Sequence, residues 1–205
     1  SDPEVLVSKA LEVVPTQSRL ARCIRDVVRW HDSHPDDWRA TWQSVEDTYQ
    51  DDIDCTPGKP FNIDAVVNAA YVALALLHGD GDFARTAEIA VRCGQDADCN
   101  ASTACGILGC ALGFSKIPVE YIAGYEGAKD SRFSFSDYTY ASAVDATVRL
   151  AGLMIERAGG WKTERDGREF FEIPIQPPLP PATLEQWTDE SQKRMLKTKP
   201  RPTSQ

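Results

Sequence analysis

The stretch Cys93-Gly94-Gln95-Asp96-Ala97-Asp98-Cys99-Asn100-Ala101-Ser102 sets two carboxylates two residues apart between two long apolar runs. Two ionised carboxylates held about 5 Å apart on partly buried backbone repel by roughly 3 kcal/mol at an effective dielectric of about 20. Such a pair calls for a cation, a shared proton or generous solvation. Oxygen-only chemistry favours Mg2+, Mn2+ or Ca2+ over zinc. Downstream, Ala101, Ala104, Cys105, Leu108, Cys110, Ala111 and Leu112 recur at helical spacing and Gly113 closes the run, which puts the acids at a helix N-terminus. Acids are favoured there without any metal, through the exposed amides and the helix dipole. Spacing alone is therefore compatible with N-capping, with a solvated loop and with a metal site.

Outward from this stretch the chain reads as a succession of helices. Leu20, Cys23/Ile24, Val27/Val28 and His31 share one face of a helix that ends near Ser33-His34-Pro35, and a second runs from about Asp36 to Tyr49. Residues 50–60, with Thr56-Pro57-Gly58 and Lys59-Pro60, read as a loop. Asn62 is read as the cap of a helix whose Ile63, Val66/Val67, Ala70/Tyr71, Leu74 and Leu77 make a broad apolar stripe, central in a bundle. After His78-Gly79-Asp80-Gly81-Asp82, Asp82 caps a helix from Phe83 to Val91; this turn lacks the spaced acids and terminal Glu of a calcium loop. His78 reads as a helix-end residue rather than a ligand.

Further on, a helix from about Asp137 to Ala158 turns Tyr140, Val144, Thr147/Val148, Ala151 and Met154/Ile155 inward and stops at Gly159-Gly160. The period then changes. Trp161-Lys162-Thr163 and Glu169 to Ile173 flank Asp166-Gly167, a hairpin signal, and Pro174 ends the second strand. Pro174, Pro177, Pro178, Pro180 and Pro181 make an extended polyproline-like arm up to Ala182. The expected fold class is all-α, with a short β-hairpin and an extended Pro-rich C-terminal arm.

The 205 residues suffice for one domain that buries about 70% of its unfolded surface, with a terminal extension. No apolar run reaches the roughly 18 residues that span a bilayer, so no membrane partner is expected. A net charge of −9 argues against binding a nucleic-acid backbone. Lys193, Arg194, Lys197, Lys199 and Arg201 form a basic end read as solvated or partner-docking. Of the six cysteines, Cys23, Cys93, Cys105 and Cys110 fall within helical apolar patterns, which fits a reduced, cytoplasmic setting. There is no Cys-x-x-Cys, and three histidines give zinc little to work with.

Asn68 to Pro118, with its apolar helix, short loop, second helix, Gly94-Gln95-Asp96-Ala97-Asp98-Cys99-Asn100-Ala101, small-residue helix and Ile117-Pro118, resembles the C-terminal signature of the ADP-ribosylglycohydrolase family. Upstream, Leu11-Glu12-Val13-Val14-Pro15-Thr16-Gln17-Ser18 and the segment from Trp30 to Trp38 resemble the same family, so the likeness covers roughly residues 2–158. The resemblance implies an all-helical bundle that holds two Mg2+ ions, with Mn2+ or Ca2+ as alternatives, and hydrolyses an N- or O-glycosidic bond at the anomeric carbon of an ADP-ribosyl group. It makes Asp96 and Asp98 metal ligands, with Asp96 also orienting the attacking water as the catalytic residue. Cys99 stands where the family usually has a coordinating Thr or Ser. Gly94 permits close backbone approach and Gln95 is placed to bind substrate.

The family's other acidic cluster, of the Thr/Ser-Asp-Asp type, has no match in this sequence. Asp36-Asp37 and Asp51-Asp52 are the adjacent acidic pairs that could imitate it, and both read as capping or solvated acids. The expectation is that residues 1–160 form the C-terminal portion of such a helical domain and residues 161–205 an extension. Ser1-Asp2-Pro3-Glu4, with no initiator Met, fits a processed or truncated segment. The missing half would come from the same protein or from a separate chain, leaving this chain inactive by itself. The expected substrates are an ADP-ribose-containing small molecule or an ADP-ribosylated macromolecule. A catalytically silent helical domain that binds a nucleotide or a protein is the competing reading, favoured by Cys99 and by the absent cluster.

Overall fold

Capping side chains set most of the helix boundaries in the computed structural model, which describes residues 2–50, 63–177 and 179–180. Two compact units divide at Ile117/Pro118. The first carries α1 (Pro3–Glu12), α2 (Arg19–Ser33), α3 (Trp38–Tyr49), α4 (Ala65–Gly79), α5 (Phe83–Arg92) and α6 (Ala97–Leu112), followed by a 3-10 turn at Phe114–Lys116. Asp2, Ser18, Asp37, Asp64 and Asp82 each accept a backbone N–H in the first turn of the helix they start. Each bond satisfies a donor that the helix itself leaves unpaired.

The broad apolar stripe of α4 makes it the central helix, as its sequence predicts. It touches α1, α2, α3, α5 and α6, and Val67, Ala70, Tyr71 and Leu74 on it are wholly buried. Around it pack Cys23 and Val27 of α2, Val45 of α3, Ile89 and Ala90 of α5, and Ala104 and Leu108 of α6. Gly79 lets the end of α4 lie against α5: a Cβ there would sit 2.0 Å from Thr86 Oγ1.

Several boundaries differ from the sequence reading. Asn62 and the pair Asp51-Asp52 lie outside the described residues, and the cap of α4 is Asp64, whose carboxylate accepts from Val67 N at 3.1 Å. The helix α1 was not expected, because its mixed stripe of Val5, Leu6, Val7 and Ala10 runs straight into the Leu11 to Ser18 turn. Cys110 is exposed rather than on the buried stripe of α6, where Ala104 and Leu108 alone of the apolar set are fully covered.

The second unit, residues 118–178, holds α7 (Val119–Ile122), α8 (Tyr125–Ala128), α9 (Tyr140–Arg157) and a hairpin of β1 (Trp161–Arg165) and β2 (Arg168–Glu172). The strands pair antiparallel, with Trp161 opposite Glu172 and Arg165 opposite Arg168. Asp166 and Gly167 both have positive φ, 51° and 71°, as a tight hairpin turn requires. Thr139 and Ser142 form a reciprocal capping box, so α9 starts at Tyr140 rather than Asp137. No residue of α9 is buried, and Val148 and Met154 of its expected inward face are each 62% exposed. A small unit has little to cover them with: Phe171 reaches Gly152, and Ile155 lies against Gly160. Residues 173–177 carry no helix or strand, and the arm and basic end from residue 181 onward lie outside the described residues. Among the described residues no helix is long and apolar enough to cross a membrane.

Candidate metal centre

Three helix N-termini share one buried polar network in the first unit. At the start of α2, Arg19 pairs with Asp64 at 3.0 Å and donates to the Tyr49 carbonyl at 3.2 Å. At the start of α4, Asn68 donates its amide to the Asp64 carbonyl at 3.0 Å. The Asn68 Oδ1 in turn accepts from Asn100 Nδ2 at 2.8 Å and from the backbone N–H of Asp96 at 3.1 Å. Asp64, Asn68 and Asn100 are all buried, where an unmade hydrogen bond is costly. The network therefore fixes where the first turn of α6 begins.

The approach to that turn is held from the other side. Trp42 Nε1 donates to the Cys93 carbonyl at 3.0 Å. Beneath it, the buried Tyr71 hydroxyl donates to Glu46. Burial first, then the Glu46 charge, pushes the Cys93 thiol up to about 12, so Cys93 is an inert packing group. Gly94 and Gln95 then both take positive φ, 80° and 56°. That conformation is ordinary for Gly94 and sparsely populated for a side chain such as Gln95, the kind of local cost that concentrates at functional sites.

This turn delivers Asp96 at the head of α6, and its carboxylate makes no capping hydrogen bond. Asp2, Asp37, Asp64 and Asp82 all spend theirs on a helix amide. Among the described helices begun by aspartate, α6 alone leaves the side chain uncommitted to the backbone. The donor atoms of Asp96, Asp98 and Cys99 lie within 4.8 Å of one another, with Asp96 half-buried and the other two exposed. The Cys99 thiol donates to Asp96, and this bond together with the charges of Asp96 and Asp98 raises the thiol above its ordinary value.

The donor set fits a hard divalent ion in part. Two carboxylates unspent on capping converge on one point of solvent access, while Mg2+ takes about six oxygens. Waters or groups from elsewhere would complete the shell. A protonated thiol contributes a hydrogen bond to Asp96 rather than a bond to such an ion. The sequence-read residues Gly94, Gln95, Asp96, Asp98 and Cys99 thus fall in one loop and one helical turn.

A family model described as ADP-ribosylglycohydrolase matches residues 1–158. The chain belongs to the ADP-ribosylglycohydrolase family. No curated protein and no solved structure matches it. Membership suggests hydrolysis of the ADP-ribosylglycohydrolase type, on substrates carrying ADP-ribose.

For this ADP-ribosylglycohydrolase family member, sequence reasoning missed Asp64, Asn68, Asn100, Arg19 and Trp42. A signal was present: Asn68 interrupts the apolar stripe of α4, and Asn100 follows Asp96 by one helical turn among small residues. His78 sits at the other end of α4, and it is buried rather than simply terminal. Its Nδ1 lies 3.2 Å from the Pro35 carbonyl, which can only accept, so Nδ1 carries the proton and Nε2 accepts from Thr41 Oγ1 at 3.0 Å. A cleft of about 600 Å³ opens there beside His31, Asp36 and Arg85. Along α4, His78 stands ten residues, about 15 Å, from Asn68, which anchors the Asp96 turn.

Proposed function

We propose that this chain supplies the Asp96–Asp98 half of a divalent-metal site that hydrolyses an N- or O-glycosidic bond at the anomeric carbon of an ADP-ribosyl or related riboside group. The observation that carries the reading is the Asp96 carboxylate, withheld from capping and set within 4.8 Å of the Asp98 donor on a buried scaffold. A bound Mg2+, or Mn2+ or Ca2+ in its place, would polarise a water and orient the ribose hydroxyls. Asp96 and Asp98 would hold that ion, and Asp96 would orient the attacking water as the glycosidic bond lengthens with oxocarbenium character. Gly94 leaves the turn open to a ligand, and Gln95 stands beside Asp96 with an amide able to bind substrate oxygens.

The remaining acidic ligands would come from a half bearing the Thr/Ser-Asp-Asp cluster, in the same protein or a separate chain. The family match over residues 1–158 supports placing the family portion at 1–160 and an extension at 161–205. Five free cysteines among the described residues support a reducing, cytoplasmic setting. The second reading, a silent helical domain binding a nucleotide or a protein, draws on Cys99, whose thiol replaces the hydroxyl expected at that position.

The test is ADP-ribose release from ADP-ribosylated protein by the complete enzyme. Release that needs Mg2+, stops with chelator and falls by at least about a hundredfold in Asp96→Asn, with the fold retained, supports the hydrolase. Release that ignores both the chelator and the substitution would leave the silent domain.

A further inference from the structure

We infer that Trp42 is a positioning residue for the Asp96–Asp98 site: its indole N–H holds the Cys93–Asp96 turn in the conformation that presents the Asp96 carboxylate beside Asp98. The inference rests on the metal-centre reading above and concerns a side chain outside the donor set. Cys93 closes α5, at the helix end where carbonyls have no amide partner within the helix. Trp42 Nε1 supplies the Cys93 carbonyl with a donor at 3.0 Å. Three residues on, the Asp96 N–H is bonded to Asn68 at 3.1 Å. The turn is thus tied to α3 at one end and to α4 at the other. Between the ties Gly94 and Gln95 both keep positive φ, 80° and 56°. The cost of a left-handed Gln95 is of the same order as the return on one hydrogen bond. Loss of a tie is therefore enough to let the turn relax and carry the Asp96 carboxylate away from Asp98.

The mount of the indole is rigid. Thr41 and Val45, on either side of Trp42 along α3, are wholly buried, and Thr41 Oγ1 donates to His78 at the end of α4 at 3.0 Å. One turn beyond Trp42, Glu46 accepts from the Tyr71 hydroxyl of α4. The ring itself packs against the core, so its N–H cannot swing aside without opening that packing. Phenylalanine would fill much of the same space and donate nothing. What the Cys93 carbonyl requires is the donor rather than the bulk of the ring.

The experiment measures Mn2+ affinity in the 205-residue chain from the loss of the ion's electron paramagnetic resonance signal, with circular dichroism confirming the fold. It compares wild type with Trp42→Phe and with a chain carrying benzothienylalanine at residue 42, which keeps the bicyclic shape and replaces the N–H by sulfur. Both changes should weaken Mn2+ by about three- to tenfold, the factor that one hydrogen bond represents. Val27→Ala, at a wholly buried position of α2, should lower the urea midpoint at least as far while leaving Mn2+ affinity within about twofold. Unchanged affinity in the benzothienylalanine chain, or an equal weakening by Val27→Ala, overturns the inference and leaves the metal-centre reading in place. A wild-type chain that binds no Mn2+ overturns both.

Discussion

Asn68 spends one side chain on three jobs: its Oδ1 accepts from Asp96 N and Asn100 Nδ2, and its own amide donates to the Asp64 carbonyl. Replacing it with alanine leaves the Asp96 N–H and the buried Asn100 amide without that acceptor, while the Asp64 carbonyl keeps the backbone N–H of residue 68. Asn68→Ala should therefore lower stability by about 2–3 kcal/mol, read as a shift in the urea unfolding midpoint. It should also weaken divalent-ion binding, because the Asp96 backbone loses its anchor. Unchanged ion affinity with the stability loss intact would separate the network from the site.

His78 gives a pH signature of the fold. Burial, aided by the nearby His31, pulls it from its ordinary 6.5 down to about 4, while the Pro35 hydrogen bond opposes the shift. The native state thus prefers the neutral ring, so the unfolded chain binds more protons between those two values. Stability should be complete above pH 6.5 and fall as pH drops toward 4, by on the order of 3 kcal/mol in all. Urea unfolding across that window reads the effect, and His78→Gln should flatten the slope.

Among the elements, the contact of α4 with α5 is the most tightly specified. A Cβ on Gly79 would meet Thr86 Oγ1 at 2.0 Å and Thr86 Cα at 3.0 Å, so the side chain and the backbone of α5 would both have to yield. Gly79→Ala should cost about 1–3 kcal/mol in thermal or urea unfolding; a neutral result would mean that the two helices do not meet there.

At this scale the sequence was legible where one residue type settled a boundary. Asp82 before α5 and Asp166-Gly167 between β1 and β2 each have a local chemistry that leaves little choice. The start of α4 was harder, since Asn62 and Asp64 are both good caps and the choice depends on Arg19 reaching Asp64 from another helix. The stripe of α9 resembles a core stripe, yet burial is decided by what packs over it, and periodicity carries no record of that. The site divides the same way. Asp96 and Asp98 stand out locally as a charge pair, whereas Asn68 and Asn100 acquire meaning only when α4 brings them together.

Across the whole molecule, an acidic chain of net charge −9 is set against an anionic ADP-ribosyl substrate, and a bound cation would offset that repulsion. In the six-helix unit around α4, the buried Asp64, Asn68 and Asn100 form the polar network that ends at the Asp96 turn. Mn2+ serves as a paramagnetic stand-in for Mg2+, and its electron paramagnetic resonance signal falls when the ion binds protein. The most direct test titrates Mn2+ into the chain and into Asp96→Asn/Asp98→Asn, with circular dichroism confirming equal helix content. The account predicts saturable binding that Mg2+ displaces and that the double substitution abolishes. Equal binding by both proteins, or none by either, would contradict it.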